Sequence, residues 1–180
     1  MMTRDDTARI LAVLKAAYPH AFKGMTRPDA EAMLNLWAIQ FEADPPEIVN
    51  AAVNALIATR TAGYSPTVGE VKEQIVKLRH QNDMDEAAAW ACVSAACRNG
   101  IYGYQEEFDK LPPEVQRVVG KPEQLRQWAM MDEETVQSVV ASNFQRSYRT
   151  RQAQEKERAM LPASVLNVIG GVAEQMRLPA

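Results

Sequence analysis

Residues 44–71 read DPPEIVNAAVNALIATRTAGYSPTVGEV, and the fold turns on this stretch. Asp44 followed by Pro45, Pro46 and Glu47 combines a helix N-cap with proline at the first helical position, so a helix is predicted to begin here. Val49, Ala52, Val53 and Leu56 then recur at a spacing that lines one helical face. Gly63 closes that helix. Tyr64, Ser65, Pro66 and Thr67 open the next, which turns Val68, Val71, Ile75 and Leu78 inward. Two helices with one apolar face each, joined by a short link, are stable only when those faces meet other helices.

Such helices are legible on both sides. Upstream, residues 5–18 place Ile10, Leu14, Ala17 and Tyr18 together before Pro19 stops the run. Thr26 and Asp29 form an approximate capping box ahead of Met33, Leu34, Trp37 and Phe41. Downstream, His80-Gln81-Asn82-Asp83 reads as a polar joint. Ala87, Trp90, Ala91, Ser94 and Cys97 line a fifth helix that Asn99-Gly100 terminates, residues 101–104 read as a turn, and Pro112-Pro113, Gly120 and Pro122 punctuate two short helical pieces. Asp132 caps a long final helix reaching about Arg158. Beyond Leu161-Pro162 a short amphipathic piece carries Val165, Val168, Ile169, Val172 and Met176.

No stretch alternates with β-branched enrichment, and no repeat of fixed period occurs. The expectation is an all-α protein. A small bundle of about four helices (1–82) precedes a second small helical domain with a long C-terminal helix (83–150), and a basic, amphipathic and flexible tail follows (151–180).

The 180 residues, 47% of them hydrophobic, suffice for one ordinary domain or two small ones. Formal charge is −3 overall but unevenly divided: residues 1–82 are neutral, 83–141 carry −6 and 142–180 carry +3. A global field toward nucleic acid or anionic lipid is thereby excluded, and any basic surface must be local. No uncharged apolar run is long enough to span a membrane, and Arg4, Asp5 and Asp6 interrupt the N-terminus where a signal peptide needs its apolar stretch. The expected compartment is the cytoplasm, with no membrane partner.

The residue types that carry chemistry are not arranged for it. Gly120-Lys121 is followed by proline, so it cannot form a phosphate-cradling loop. His20 and His80 lie far apart without metal-ligand spacing. Cys92 and Cys97 point in different directions on a helix, and we read them as small apolar side chains rather than as a metal pair or a disulfide. Glu106-Glu107 and Glu133-Glu134 are adjacent acids, which do not converge on one point of a helix; the second pair also sits in a first turn, where the helix dipole favours acids. Ser65 and Ser138 have no histidine that the sequence brings near. No catalytic residue, metal or cofactor is expected, and binding is the function to seek.

Residues 142–151, SNFQRSYRTR, hold three arginines and two aromatics, side chains that a single-strand-binding surface interleaves. At about 100° per residue, however, Val136, Val140, Phe144, Ser147 and Tyr148 fall on one side with Arg151 prolonging the line, while Arg146, Arg149 and Lys156 gather opposite. The rings read as the end of a core stripe and the arginines as a narrow cationic back face interrupted by Glu157. Direct nucleic-acid binding is therefore expected to be weak or absent.

Four features resemble, in order and spacing, the replicative helicase loader/inhibitor family of phages and prophages of Gram-positive bacteria. They are Ala17-Tyr18-Pro19 closing the first helix, Trp37 in the second, IVNAAVNALIAT (48–59) as the third, and YSPTVGEV (64–71) opening the fourth. The resemblance spans about residues 8–78. In the second half, LPPEVQRVVGKPEQLRQWAMMDE (111–133) and SNFQRSYR (142–149) are similar to the C-terminal region of longer proteins grouped with such loaders. The resemblance implies a non-enzymatic adaptor, without an ATPase, that binds the host's hexameric DnaB-type replicative helicase, holds it inactive and delivers it to an initiator protein at the phage origin. It also implies a folded helical N-terminal domain ahead of a C-terminal region that is flexible alone and engages the helicase.

In this chain residues 83–150 read as folded, which leaves 151–180 for that role. Gly170 and Gly171 each cost a helix about 1 kcal/mol relative to alanine, so 162–176 should be marginal alone and form best against a partner groove. The helicase-contact set expected on these grounds is Arg146, Arg149, Arg151, Lys156, Arg158, Val165, Ile169 and Val172. Two other readings are a DNA-binding replication initiator that uses the basic 142–158 helix, and a phage structural or assembly protein.

Overall fold

The computed structural model describes residues 2–175, and among them every regular element is a helix. The chain divides into two units, one built on the residues up to Gln81 together with those from Lys156 onward, the other on Asn82–Glu155.

The first unit contains α1 (Arg4–Ala17), a 3-10 turn (Pro19–Phe22), α2 (Arg27–Gln40), α3 (Pro46–Thr59) and α4 (Val68–Arg79). Three of these helices start with a reciprocal capping box: Thr3 with Asp6, Thr26 with Asp29, and Thr67 with Glu70. Each threonine hydroxyl accepts from the N–H three residues on, and the carboxylate there accepts from the threonine N–H, which satisfies two donors that a helix start leaves open. The caps fix where helices begin; the apolar stripes fix how they pack. Ile10 and Leu14 of α1, Trp37 of α2 with Phe41 just beyond it, Val49, Ala52 and Val53 of α3, and Val71 and Ile75 of α4 are all buried in one cluster.

Three local expectations are corrected here. Ala17 is exposed, and Thr7 takes the buried place on the α1 stripe, its hydroxyl donating to the Thr3 carbonyl at 2.9 Å so that no buried donor is left open. α3 ends at Thr59, ahead of Gly63. The N-cap position of α3 belongs to Pro45 and makes no side-chain cap bond. Asp44 is buried instead, and its carboxylate accepts from Lys72 Nζ at 2.6 Å and from Arg79 Nη2 at 2.9 Å. A carboxylate leaves water only if it is paired, and both partners come from α4.

The second unit contains α5 (Glu86–Arg98), α6 (Gly100–Lys110), α7 (Pro113–Val119), α8 (Pro122–Ala129), α9 (Glu133–Thr135), a π-helical segment (Val136–Val140) and most of α10 (Ala141–Met160). On α5 the buried residues are Ala89, Trp90, Val93 and Ala96, whereas Ala87 and Ala91 of the expected stripe are exposed. EAAAWACVSAACR carries apolar residues all round its axis, so periodicity does not choose a face; the neighbouring helices do. Residues 101–104, expected as a turn, are helical within α6, with a kink at Gly103 (φ −100°, ψ 21°). Asn99 does end α5, but Gly100 has a further purpose. A Cβ there would lie 3.2 Å from both Ala129 Cβ and the Leu125 carbonyl oxygen, so the close approach of α6 to α8 favours glycine.

The π-helical segment puts an extra residue into one turn. The buried stripe consequently steps from Val136 to Ala141 and on to Phe144 and Tyr148, leaving Val140 half-buried and Ser147 exposed. α11 (Ala163–Gln175) follows α10 within the segment expected as the tail. Met176, the last residue of its expected stripe, lies outside the described residues.

Candidate functional site

The expected contact residues are distributed over two helices. α10 carries Arg146, Arg149, Arg151, Lys156 and Arg158, and α11 carries Val165, Ile169 and Val172. The first three belong to the second unit and the other five to the first.

Asp132 sets where the helical run leading to α10 begins, its side chain accepting from the Thr135 N–H at 2.8 Å. From there the buried stripe fixes the helix by its rings. Phe144 lies 5.6 Å from Trp90 and 6.0 Å from Tyr148, centroid to centroid, and Trp90 lies 6.4 Å from Trp128. The Tyr148 hydroxyl donates to the Met84 carbonyl at 3.2 Å, and Gln152 Nε2 donates to the same oxygen at 2.9 Å. Burial raises the Tyr148 phenol above its usual range. Both aromatic rings of SNFQRSYRTR are therefore core, and neither presents a face on which a base could stack.

The arginines differ in what holds them. Arg149 donates through Nε and Nη2 to Glu86 Oε1, and this hydrogen bond holds the Glu86 carboxyl below its usual range. The pair is solvent-exposed on the arginine side, so salt screens it and a partner could exchange for it at little cost. Arg151 lies beside Tyr148 and Gln152 on a small cleft that Glu114, Arg117 and Glu155 also line, and Arg117 Nη1 donates to Glu155 at 2.7 Å. Arg146 and Arg158 are exposed, and Lys156 is half-buried. A continuous cationic face does not exist on the second unit's part of α10: Glu86 occupies Arg149, and acids line the cleft at Arg151.

The apolar part is more uniform. Pro162 is buried, and its carbonyl accepts from the N–H groups of Val165 and Leu166 at 3.1 and 3.2 Å, which starts α11. Beyond that anchor Val165, Val168, Ile169 and Val172 are 40%, 66%, 52% and 47% exposed. This is a helical stripe of branched aliphatic side chains facing water, the arrangement that helix-in-groove recognition uses. A Cβ on Gly170 or Gly171 would meet nothing within 4 Å, so packing does not demand glycine at either position.

Sequence reasoning missed one constellation, Asp44 with Lys72 and Arg79, because a local N-cap reading consumed Asp44 before any long-range partner was considered. Lys72 Nζ also sits 4.8 Å from the centroid of the Phe41 ring, which supplies a second favourable contact for the buried cation. Nothing in local sequence marks such pairs. Among the described residues no cluster of His, Cys, Asp and Glu is arranged to hold a metal ion, and no helix is long and apolar enough to cross a membrane.

The fold class is all-α, and α1 to α4 pack round one core within the first unit. Residues 2–72 match the family model of the N-terminal domain of the phage SPP1 helicase loader/inhibitor, which covers α1 to α3 and the start of α4. Over those residues the chain is similar to a phage helicase loader/inhibitor family, which is an adaptor rather than a catalytic family. No curated protein and no solved structure matches the chain.

Proposed function

We propose that the protein is a non-enzymatic phage replication adaptor that binds the host's hexameric DnaB-type replicative helicase, restrains it, and delivers it to an origin-bound initiator. The observation that carries this reading is the exposed aliphatic stripe of α11 in a chain whose residues 2–72 match the N-terminal domain of a helicase loader/inhibitor. In the proposal Val165, Ile169 and Val172 enter a groove on the helicase. Arg146, Arg149, Arg151, Lys156 and Arg158 add charge on the approach, with Arg149 exchanging Glu86 for an acid of the partner. Burying the stripe supplies roughly 25 cal/mol per Å² of apolar surface, and the rim charges chiefly set rate and specificity.

Co-purification with the helicase tests the reading, using the full chain and a truncation after Pro162 that leaves both cores intact. The full chain is expected to form a complex at micromolar concentration and to suppress the helicase ATPase, and the truncation to do neither. Equal capture of both forms would remove α11 from the contact, and capture of neither would end the adaptor reading. The DNA-binding reading finds no support in the geometry of Phe144 and Tyr148, since both rings are committed to the core.

A further inference from the structure

α2 has the composition of a buried helix and the surroundings of an exposed one. Met33, Leu34, Leu36, Trp37 and Ile39 spread apolar surface round most of its circumference, a distribution that belongs to helices covered on several sides. Only Trp37 is fully buried, and Leu36 and Ile39 are each more than half exposed. α1 has a matching surplus. Its core stripe is Thr7, Ile10 and Leu14, while Ala8, Leu11 and Ala12 face a second direction.

The Met33–Leu34 side of α2 meets this second face of α1, while Leu36 and Ile39 lie off the contact. Ala8, Leu11 and Ala12 of α1 and Met33 and Leu34 of α2 wall an open groove of about 280 Å³, and none of its lining residues is fully buried. Alanines on the wall let a third helix approach closely. Met25 and Met33, both on the lining, are side chains that adapt to varied apolar surfaces. The groove lies between helices, away from any sheet edge, so the occupant it fits is itself a helix.

Charge narrows the occupant further. Lys15 is the one charged residue on the lining, and Lys23 stands exposed on the connection just after Phe22. Neither forms an ion pair among the described residues. The acids nearest to Lys23 in sequence are already engaged, Asp29 by Thr26 in the capping box and Glu31 by Arg27 at 3.5 Å, and Asp6, toward Lys15, is held by Thr3 and Arg9. Lys15 thus offers unneutralised positive charge beside an apolar floor, and Lys23 adds a second exposed cation next in sequence to the lining residue Phe22.

We infer that the α1–α2 groove is a docking site for an acidic amphipathic helix of a protein partner. Its apolar face lies on Leu11, Met33 and Leu34, and its carboxylates pair with Lys15 and Lys23. This site is on the first unit and uses no residue of α11, so it stands or falls separately from the helicase contact proposed above.

The test titrates the full chain, carrying methyl-labelled methionine, with two synthetic amphipathic helical peptides that share one Leu/Ala face and differ only in Glu or Lys along its flanks. The Glu peptide is expected to shift the Met25 and Met33 methyl resonances and to bind about tenfold more tightly than the Lys peptide at low salt. Lys15→Glu should abolish or reverse that preference. Ala12→Arg, at an exposed position outside the core stripe, should block binding of the Glu peptide with the helical circular dichroism unchanged. Equal affinity for both peptides, or unmoved Met25 and Met33 methyls at millimolar peptide, would overturn the inference. A peptide of residues 163–175 that displaced the Glu peptide at equal concentration would assign the groove to a second copy's α11 and overturn it as well.

Discussion

Lys72 Nζ donates to Asp44 Oδ2 at 2.6 Å with both side chains almost wholly buried, which ties the entry of α3 to the middle of α4. Removing Asp44 leaves Lys72 as a buried charge without its counter-ion, whereas Asp44 would still keep Arg79 if Lys72 were lost. Asp44→Ala is therefore expected to destabilise the first unit by about 3–5 kcal/mol, whereas Asp44→Ala combined with Lys72→Met should recover much of that loss. Urea unfolding followed through the Met33 methyl resonance of the first unit checks both; a single substitution with no effect would mean that the pair is not holding α3 to α4.

Phe144 anchors α10 through its contacts with Trp90 and Tyr148. Phe144→Ala should cost about 3–5 kcal/mol, and Tyr148→Phe, which removes only the bond to the Met84 carbonyl, about 1 kcal/mol. Denaturant midpoints for the second unit provide the comparison. Since neither ring is open to a base, Tyr148→Phe should leave any affinity for a single-stranded oligonucleotide unchanged in an anisotropy titration.

Stability should fall in acid. The carboxyls of Asp6 and Asp29 are held low chiefly by the hydroxyls of Thr3 and Thr26, that of Glu70 chiefly by the Thr67 N–H, and that of Glu86 chiefly by Arg149. A carboxyl with a lower pKa folded than unfolded binds fewer protons in the native state. Its contribution is complete above the unfolded values, 3.8 for Asp and 4.5 for Glu, and is lost as pH drops through the lower folded values. Thermal midpoints should be flat from neutrality to about pH 5 and decline below that. Thr26→Val, which removes the hydroxyl that chiefly holds the Asp29 carboxyl low, should flatten part of the decline.

Gly170 and Gly171 have open space where a side chain would go. Gly170→Ala and Gly171→Ala should each favour the helical form of α11 by about 1 kcal/mol, visible as slower amide exchange across Ala163–Gln175. If α11 is the helicase contact, the double variant should also bind the helicase more tightly, by up to about tenfold, because less ordering remains to be done on binding. Slower exchange without tighter binding would separate the helix from the contact.

Burial pushes the Cys97 thiol up to about 11. Reaction needs the thiolate, so Cys97 should alkylate far more slowly than a free thiol at pH 8 and at the free rate in denaturant. Mass spectrometry of the labelled peptide over time distinguishes the two.

Much of the fold could be read before any coordinates, because helix period, caps and proline stops are local properties. Val49, Ala52 and Val53 with Val71 and Ile75 are buried as their spacing requires, and Thr26, Thr67 and Asp132 cap the helices they precede. The resemblance carried by residues 8–78 also lay in the sequence, and the family match to residues 2–72 covers nearly the same stretch.

Tertiary structure decided what depends on partners distant in the chain. Asp44 satisfies a local cap rule, yet Lys72 and Arg79 draw it inward, a choice set by charges that the chain brings together only on folding. α5, alanine on every side, takes its buried face from its neighbours. Gly100 reads as a helix terminator but is also favoured because α8 comes within tight contact distance. At the candidate site the sequence located SNFQRSYRTR and separated its rings from most of its arginines, since that follows from 100° per residue. That Arg149 is held by Glu86, that a π turn advances the stripe from Val136 to Ala141, and that the stripe of α11 faces water all depend on what else occupies the space around each residue, which periodicity alone does not specify.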